Sequence, residues 1–202
     1  NIDKVNPDVS ASNASSTWYA TQRIATVSVS DENSGVSEVR YSWGTNDLTC
    51  QPDIPITGGT ITANEAALES PSGGTTLYLC AQDNAGNVNS WNGAYNWTGQ
   101  EPLVGDPEIY SGNGYNNTHF NGTISLRASV TDQGGSGLDE TSCEVSVNGA
   151  DYTGAGVVYS AGYCQYNNYT PDANFTIRFK IADKAEPTAN EGISSEGSFT
   201  YD

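Results

Sequence analysis

The sequence predicts an all-β protein made of two tandem antiparallel β-sandwiches. Three observations lead to this prediction: alternation of apolar and polar residues, an internal repeat, and composition. The alternation runs over short segments such as Val39–Trp43 and Ile124–Val130, as in strands that are buried on one face. Only 36% of the 202 residues are hydrophobic, and such a surface-rich composition is more typical of sandwiches than of helix bundles.

The internal repeat divides the chain into two halves. Ala25–Asp31 recurs as Leu126–Asp132, and Leu77–Asp83 recurs as Ile177–Asp183. Both pairs lie at an offset of about 100 residues, which indicates a duplicated unit. That length, with short strands between frequent turns, predicts a seven-stranded sandwich in each half.

The boundary between the halves is predicted at a short polar linker, Thr98–Pro102. Residues 1–99 therefore form the first predicted domain and residues 100–202 the second. No apolar run approaches the length of about 18 residues that a membrane-spanning helix needs, so we expect no membrane insertion.

Local signals predict individual turns. Ile56–Ile61 and Val145–Gly149 each contain a Gly-Gly or Asn-Gly pair that suits a tight hairpin turn. Thr62–Glu65 has the spacing of a capping box before Ala66–Leu68, which predicts one turn of helix there.

The charge of the chain excludes two classes of partner. Seven Lys and Arg residues stand against 24 Asp and Glu residues, for a formal charge of −17. Nucleic acids and anionic membrane surfaces both require a basic patch. We therefore expect no nucleic-acid partner.

Each half resembles the immunoglobulin-like repeats of prokaryotic surface proteins and secreted multidomain proteins. The resemblance is carried by Asp31–Val36 with Val39–Trp43, and by Ala81–Val88 with its Ala-x-Asp-Asn-Ala-Gly-Asn pattern. It covers most of residues 6–93 and is weaker over 106–202. It implies an immunoglobulin-like fold and a role as a stalk, adhesin segment, filament subunit or spacer; it implies no activity.

The four cysteines fall two in each half. An even count per domain predicts one disulfide each, Cys50–Cys80 and Cys143–Cys164. Free buried thiols are the alternative, and zinc is disfavoured by the spacing. No cysteine lies on the Ala25–Val29 strand, so we expect the bridges to pin loops or sheet edges. Disulfides predict an oxidising compartment, extracellular or at the cell surface.

Catalytic chemistry finds little support in the sequence. Any His-based triad would need His119, the single histidine. The polar residues around it predict a solvated loop. The adjacent carboxylates at Asp31–Glu32 and Asp139–Glu140 either point to opposite faces of a strand or lie in turns. We expect no enzymatic activity.

Calcium is the cofactor that the sequence favours most. Hard oxygen ligands on neighbouring loops suit this ion, and loops after the second and sixth strands share one end of an immunoglobulin-like sandwich. The alternative is that these aspartates accept backbone hydrogen bonds and only stabilise turns. The candidate ligands are Asp31, Asn33 and Asp83 in the first half and Asp132, Asp139 and Asp183 in the second.

Six Asn-x-Ser/Thr sequons are candidate glycosylation sites. Their number is only slightly above what the composition gives by chance. The alternative interpretation is therefore that these sequons carry no glycan. They are Asn13, Asn96, Asn116, Asn121, Asn168 and Asn174.

Aromatic residues cluster on the last predicted strand of the first half. Trp91, Tyr95 and Trp97 are spaced so that one face of a strand holds all three. This pattern favours the core or an interface between subunits, with sugar stacking as the alternative.

These observations favour a non-enzymatic extracellular structural protein. It would be a subunit of a surface filament or surface layer, or an adhesin stalk, with itself or other surface proteins as partners. Such domains can polymerise by strand addition, and Asn1–Val5 or Ser198–Tyr201 are candidate donor strands. The alternatives are a carbohydrate- or host-surface-binding module and an accessory domain pair of a larger secreted enzyme.

Overall fold

The computed structural model describes residues 3–51, 59–61, 65–112 and 114–202. The chain divides into two compact units, Asn1–Thr98 (unit 1) and Gly99–Asp202 (unit 2). Within the described ranges every regular element is a β-strand. The predicted pair of antiparallel β-sandwiches with one disulfide each is confirmed.

Unit 1 packs a three-stranded sheet, β1-β3-β6, against a five-stranded sheet, β2-β8-β7-β4-β5. Neighbouring strands are antiparallel except β2 and β8, which run parallel. The strands are β1 (Asp8–Ala11), β2 (Ser15–Tyr19), β3 (Ile24–Ser30), β4 (Val36–Trp43), β5 (Gly59–Thr60), β6 (Glu65–Glu69), β7 (Gly73–Asp83) and β8 (Val88–Trp97).

Unit 2 packs two five-stranded sheets, β10-β12-β15-β14 with β9 and β11-β18-β16-β13 with β17. Its one parallel pair among the described strands is β11 with β18. The strands are β9 (Leu103–Val104), β10 (Glu108–Gly112), β11 (His119–Phe120), β12 (Ile124–Thr131), β13 (Glu144–Val147), β14 (Val157–Ser160), β15 (Tyr163–Tyr169), β16 (Phe175–Ala182), β17 (Glu191–Ile193) and β18 (Gly197–Tyr201).

Both units exceed the predicted seven strands. In the described part of the chain the surplus consists of β5, β9, β11 and β17, each two or three residues long. Such short pairings carry no apolar alternation of their own, which is why sequence periodicity misses them.

Alternation along the strands builds one core in each unit. In β3, Ala25, Val27 and Val29 are buried, while the residues between them are exposed. They pack against Leu77 and Leu79 of β7 in the facing sheet. In unit 2 the matching strands β12 and β16 supply the same inward faces. Burial of these side chains is the main contribution to the stability of each unit.

The predicted helical turn at Ala66–Leu68 is wrong. These residues lie in β6 and pair antiparallel with β3 in an unbroken register from Ile24↔Glu69 to Ser28↔Glu65. A single helical turn gains almost no net free energy on its own, whereas pairing satisfies the backbone edge of β3. The capping-box residues 62–64 lie outside the described residues.

The two predicted hairpin turns have different outcomes. Asn148 and Gly149 both adopt a positive φ, 52° and 72°, as a tight turn of this type requires. The chain then returns, and Val145 bridges Thr153 in an antiparallel pair. This turn is confirmed. In Ile56–Ile61, residues 56–58 lie outside the described residues.

The disulfides differ in position between the units. Cys80 lies in β7 on the face away from the core, so Cys50–Cys80 holds the preceding loop against the sheet, as predicted. Cys164 lies in β15 and Cys143 directly precedes β13 of the other sheet, and both are buried in the core. The expectation of a loop or edge bridge is therefore wrong for unit 2, where the bridge joins the two sheets.

Tyr95 links the core of unit 1 to an edge of the sandwich. Its side chain is fully buried, contacts Trp43 edge-on at 5.4 Å, and donates a hydrogen bond of 2.5 Å to the carbonyl oxygen of Ser12. Burial raises the pKa of Tyr95 to about 12, and the nearby charge of Arg23 lowers it slightly. The phenol is therefore held neutral in the folded chain.

This raised pKa predicts a loss of stability at alkaline pH. Below about pH 10 the phenol is protonated in both states, so its contribution is complete. Between about 10 and 12 the unfolded chain loses the proton first, and the free energy of unfolding falls as pH rises. Tyr95→Phe should remove this part of the fall while costing about 1 kcal/mol at neutral pH. Urea unfolding followed at pH 7 to 11 measures both effects, and parallel pH profiles for the two proteins would contradict the assignment.

Candidate functional site

Two loops meet at one end of unit 1, which we call the loop end (residues 31–35 and 83–87). The Asn84 backbone N–H and side-chain amide both donate to the carbonyl oxygen of Gly35, at 2.9 and 3.1 Å. The Asn84 amide also donates to the carbonyl of Ser34. These bonds fix the two loops to each other.

Asp31 shapes the first loop. Its Oδ1 accepts backbone N–H bonds from Asn33, Ser34 and Gly35, the shortest at 2.7 Å. Gly35 has a φ of +78°, which a residue with a side chain rarely adopts. The Asp-x-x-Ser-Gly motif is thus an aspartate-capped turn. Its other carboxylate oxygen, Oδ2, takes no part in the turn.

Asp83 shapes the second loop. The carboxylate is 2% exposed and accepts bonds from the backbone of Ala85 and Asn87 and from the Asn87 amide, at 2.7–2.8 Å. Burial alone would raise the pKa of Asp83, but the hydrogen bonds from Asn87 and Ala85 outweigh it and lower the pKa below its ordinary value. Asp83 therefore carries a negative charge at neutral pH.

The third acidic residue at the loop end is Asp3, which sequence reasoning missed. The Asn87 amide also contacts the carbonyl oxygen of Asp3 at 3.4 Å, and Asn89 donates to the carbonyl of Pro7 at 2.9 Å. These contacts hold the segment before β1 along the turn between β7 and β8. One carboxylate oxygen each from Asp3, Asp31 and Asp83 lies within 4.8 Å of the others; we call these three residues the acidic cluster.

A signal for Asp3 does exist in the sequence. When Asn6-Pro7-Asp8 is aligned with Asp106-Pro107-Glu108, Asp3 falls opposite Leu103. The repeat is therefore asymmetric at this position. That asymmetry, and not the acidic loops that both halves share, distinguishes the loop end of unit 1.

The predicted ligand set of unit 2 is wrong as a cluster. Within the described ranges, Asp132, Asp139 and Asp183 do not form a three-carboxylate group like that of unit 1. Asp132 caps its turn through both oxygens, and Asp139 accepts bonds from Thr141. Asp183 is saturated by Ala185, Asn190 and Ser136. For all three residues, the alternative to calcium binding applies: their carboxylates accept hydrogen bonds that stabilise turns.

The Asn33 side chain is exposed, and the residue contributes to the loop end through its backbone N–H. The structure thus brings Asp31 and Asp83 together, adds Asp3, and leaves Asn33 at the periphery.

The sequons lie mostly at exposed positions. Asn96 is the exception: it is half-buried in β8, and its amide donates to the carbonyl of Ser16 at 2.9 Å. That bond occupies the nitrogen to which a glycan would attach. The exposed sequon asparagines are Asn13, Asn116, Asn121, Asn168 and Asn174.

The aromatic residues of β8 differ in their burial. Tyr95 is fully buried, so it contacts neither a ligand nor a partner, and its assignment to a binding surface is wrong. The Trp97 indole donates to the carbonyl of Ser70 at 3.1 Å, and Trp91 packs against the core. The core interpretation of this strand is therefore correct for Tyr95, while Trp91 and Trp97 are partly buried.

A shallow cleft of about 380 Å³ lies beside the disulfide of unit 1. Its lining includes Asn46, Tyr78, Trp91 and Asn92. Amides beside aromatic rings are the side chains that commonly contact small polar ligands.

His119, the single histidine, is exposed in β11 of unit 2, with Nδ1 3.2 Å from the Thr118 hydroxyl.

Comparison with known proteins yields structural similarity only. No family model and no curated protein matches the chain. Among solved structures it is similar to fibronectin(III)-like modules of Clostridium thermocellum CbhA, with a TM-score of 0.35 and 15% identity over 96% of this chain and 93% of that chain. It is also similar to a tetra-tandem repeat from the extending region of a large adhesion protein, with a TM-score of 0.37 and 15% identity over 96% and 49% of the two chains.

A third similar structure is the Bacteroides ovatus glucan-utilisation protein SGBP-B in complex with a heptasaccharide. The TM-score is 0.29 and the identity 11%, over 98% of this chain and 48% of that chain. The chain thus spans about half the length of the second and third structures. The described residues contain no helix with the length and apolarity needed to cross a membrane.

Proposed function

We propose that the chain is a non-enzymatic structural segment of a secreted or cell-surface protein, with its two units as consecutive spacer modules of a stalk. The observation that carries the proposal is that both units are closed two-sheet sandwiches with their own cores and their own disulfides. Such modules add length and durability without requiring a ligand.

The compartment supports the same role. Disulfides persist in oxidising environments and are rare where thiols are kept reduced. A formal charge of −17 keeps a surface-exposed chain soluble and repels non-specific contacts with other acidic surfaces. Both properties suit a chain that works outside the cell.

Assembly by strand addition finds less support than a simple stalk. Ser198–Tyr201 lies in β18, which pairs with β16 and β11 of its own unit, and Phe199 is buried in that core. This segment already completes a sheet. Of the other candidate donor, Asn1–Val5, the described residues 3–5 form no strand and lie along unit 1.

The test is the assembly state of the purified full chain. Light scattering should show a single species near 21.3 kDa, and electron microscopy should show no regular polymer. Filaments or sheets under native conditions would replace the stalk with a polymer subunit.

A carbohydrate-binding module is the second candidate, and the cleft beside the disulfide of unit 1 is the observation that favours it. A glycan screen of the full chain distinguishes it from a stalk. Saturable binding that is lost in Asn46→Ala/Asn92→Ala would overturn the purely structural role. Both side chains are exposed, so the double variant leaves the core intact; Asn116→Ala in unit 2 is the matched control.

A further inference from the structure

We propose that the acidic cluster, Asp3, Asp31 and Asp83, binds one calcium ion that fastens the segment before β1 to the loop end of unit 1. The sequence pattern alone points to calcium in both halves and omits Asp3. Among the described residues, the structure brings three carboxylates together in unit 1 alone, and Asp3 is the third of them. The proposal stands independently of the stalk function.

Unsatisfied oxygen atoms are the first argument. Of the buried side-chain nitrogen and oxygen atoms in the described residues, two have no hydrogen-bond partner, Asp3 Oδ2 and Asp31 Oδ2. Both belong to the acidic cluster. Buried polar atoms in folded proteins almost always have a partner, so this pair of oxygens requires partners that the chain itself does not supply, such as water or an ion.

The remaining oxygens show why Oδ2 is the free atom in each case. Asp31 Oδ1 is saturated by its turn, and Asp3 Oδ1 accepts the Val5 N–H at 2.9 Å. The loops therefore hold each carboxylate in a fixed orientation with one oxygen unused. Prearranged carboxylates of this kind lower the cost of binding an ion.

Charge is the second argument. The ion pairs between described residues include none with a member of the acidic cluster. One oxygen from each of the three carboxylates lies within 4.8 Å of the others in a partly buried place, so like charges are held close together. A cation is the species that removes this repulsion and satisfies the free oxygens at once.

The chemistry of the ligands selects calcium. Oxygen ligands from carboxylates suit hard cations, whereas zinc prefers nitrogen and sulfur. Magnesium demands near-ideal octahedral geometry and retains its water, while calcium accepts irregular sets of ligands with water in the remaining positions. Three loop carboxylates from separate segments form an irregular set.

Unit 2 supplies an internal control. Its equivalents Asp132 and Asp183 accept hydrogen bonds through every carboxylate oxygen, and Ser136 donates to Asp183 Oδ2 at 2.9 Å. Leu103 stands where unit 1 has Asp3. The same loops without a third carboxylate thus form a self-sufficient network. The free oxygens of unit 1 belong to Asp3 and Asp31, whereas Asp83, like Asp183, accepts hydrogen bonds through both of its oxygens.

The test is calorimetric titration of the full chain, treated with chelator, with calcium chloride and then with magnesium chloride. We expect one calcium ion per chain, with a dissociation constant on the order of 10⁻⁴–10⁻³ M as in extracellular modules, and weaker magnesium binding. Asp3→Asn and Asp31→Asn should weaken calcium binding by about tenfold or more, because affinity follows the charge of the ligands.

The matched control is Asp132→Asn, which should leave calcium binding unchanged. Asp3 lies before β1 and outside both cores, so Asp3→Asn should fold normally, as circular dichroism would verify. Hydrogen exchange on the full chain adds a local readout: calcium should slow exchange of amides in residues 33–35 and 85–87 and leave residues 134–137 unaffected.

Two results would overturn the proposal. One is the absence of saturable calcium binding by the wild-type chain at millimolar concentrations. The other is uptake of several ions that Asp3→Asn does not reduce, because this would show diffuse attraction to the acidic surface in place of a defined site.

Discussion

Replacing Phe179 with alanine should destabilise unit 2 by about 3–5 kcal/mol, the usual loss for a fully buried phenylalanine. Phe179 is 0% exposed and lies in the middle of β16, a central strand of its sheet. Single domains are stable by only about 5–15 kcal/mol, so this variant should bring unit 2 close to unfolding at room temperature.

The distribution of tryptophan makes the effect easy to assign. All four tryptophans, Trp18, Trp43, Trp91 and Trp97, lie in unit 1. Denaturation followed by tryptophan fluorescence therefore reports unit 1, while circular dichroism reports both units. Phe179→Ala should shift the unfolding transition of unit 2, which circular dichroism detects and tryptophan fluorescence does not. The transition of unit 1 should stay in place. A shift of the fluorescence transition by the same amount would contradict two independent cores.

Val158→Ala, at a position 48% exposed, is the control and should change stability by no more than about 0.5 kcal/mol.

Removing the disulfide of unit 2 should cost more than removing that of unit 1. The bridges close similar stretches, 21 and 30 residues apart in sequence, so the chain-entropy contribution is about 3 kcal/mol for each. The difference comes from packing. Cys143 and Cys164 are buried between the two sheets, so Cys143→Ala/Cys164→Ala also leaves a cavity in the core.

The comparison is Cys50→Ala/Cys80→Ala, which releases a loop on the outer face of a sheet. Calorimetry of both double variants, with fluorescence identifying the transition of unit 1, measures the two losses. An equal or larger loss in the unit 1 variant would mean that loop restraint, and not core packing, dominates both bridges.

The sequence predicts the fold well wherever one face of a strand is buried. Ala25, Val27 and Val29 alternate with polar residues because only one face of β3 meets the core, and a period of two is visible without any tertiary information. The segment at Ala66–Leu68 has no such alternation, and its state depends on the open edge of β3 beside it. Local propensity could not detect that edge.

The acidic cluster shows a similar division. Asp31 follows β3 and Asp83 ends β7, and the repeat locates both strand ends, so their proximity could be predicted. Asp3 lies in a segment without periodicity, and side-chain bonds from Asn87 and Asn89 place it. In unit 2 the prediction fails because Asp132 accepts backbone bonds from its own turn through both oxygens, and Leu103 stands opposite Asp3. Bonds between residues with no fixed spacing are not readable from a single sequence.

The parallel pairing of β2 with β8 has a mechanical consequence. β2 lies near the N-terminal end of unit 1 and β8 at its C-terminal end. Tension applied to the two ends of the unit therefore pulls these neighbouring parallel strands in opposite directions along their length. The hydrogen bonds between them are then loaded together in shear and do not open one at a time. In unit 2, β11 and β18 are also parallel, but β9 and β10 precede β11. Beyond that point the disulfides limit extension, since the residues between Cys50 and Cys80 and between Cys143 and Cys164 cannot lengthen the chain.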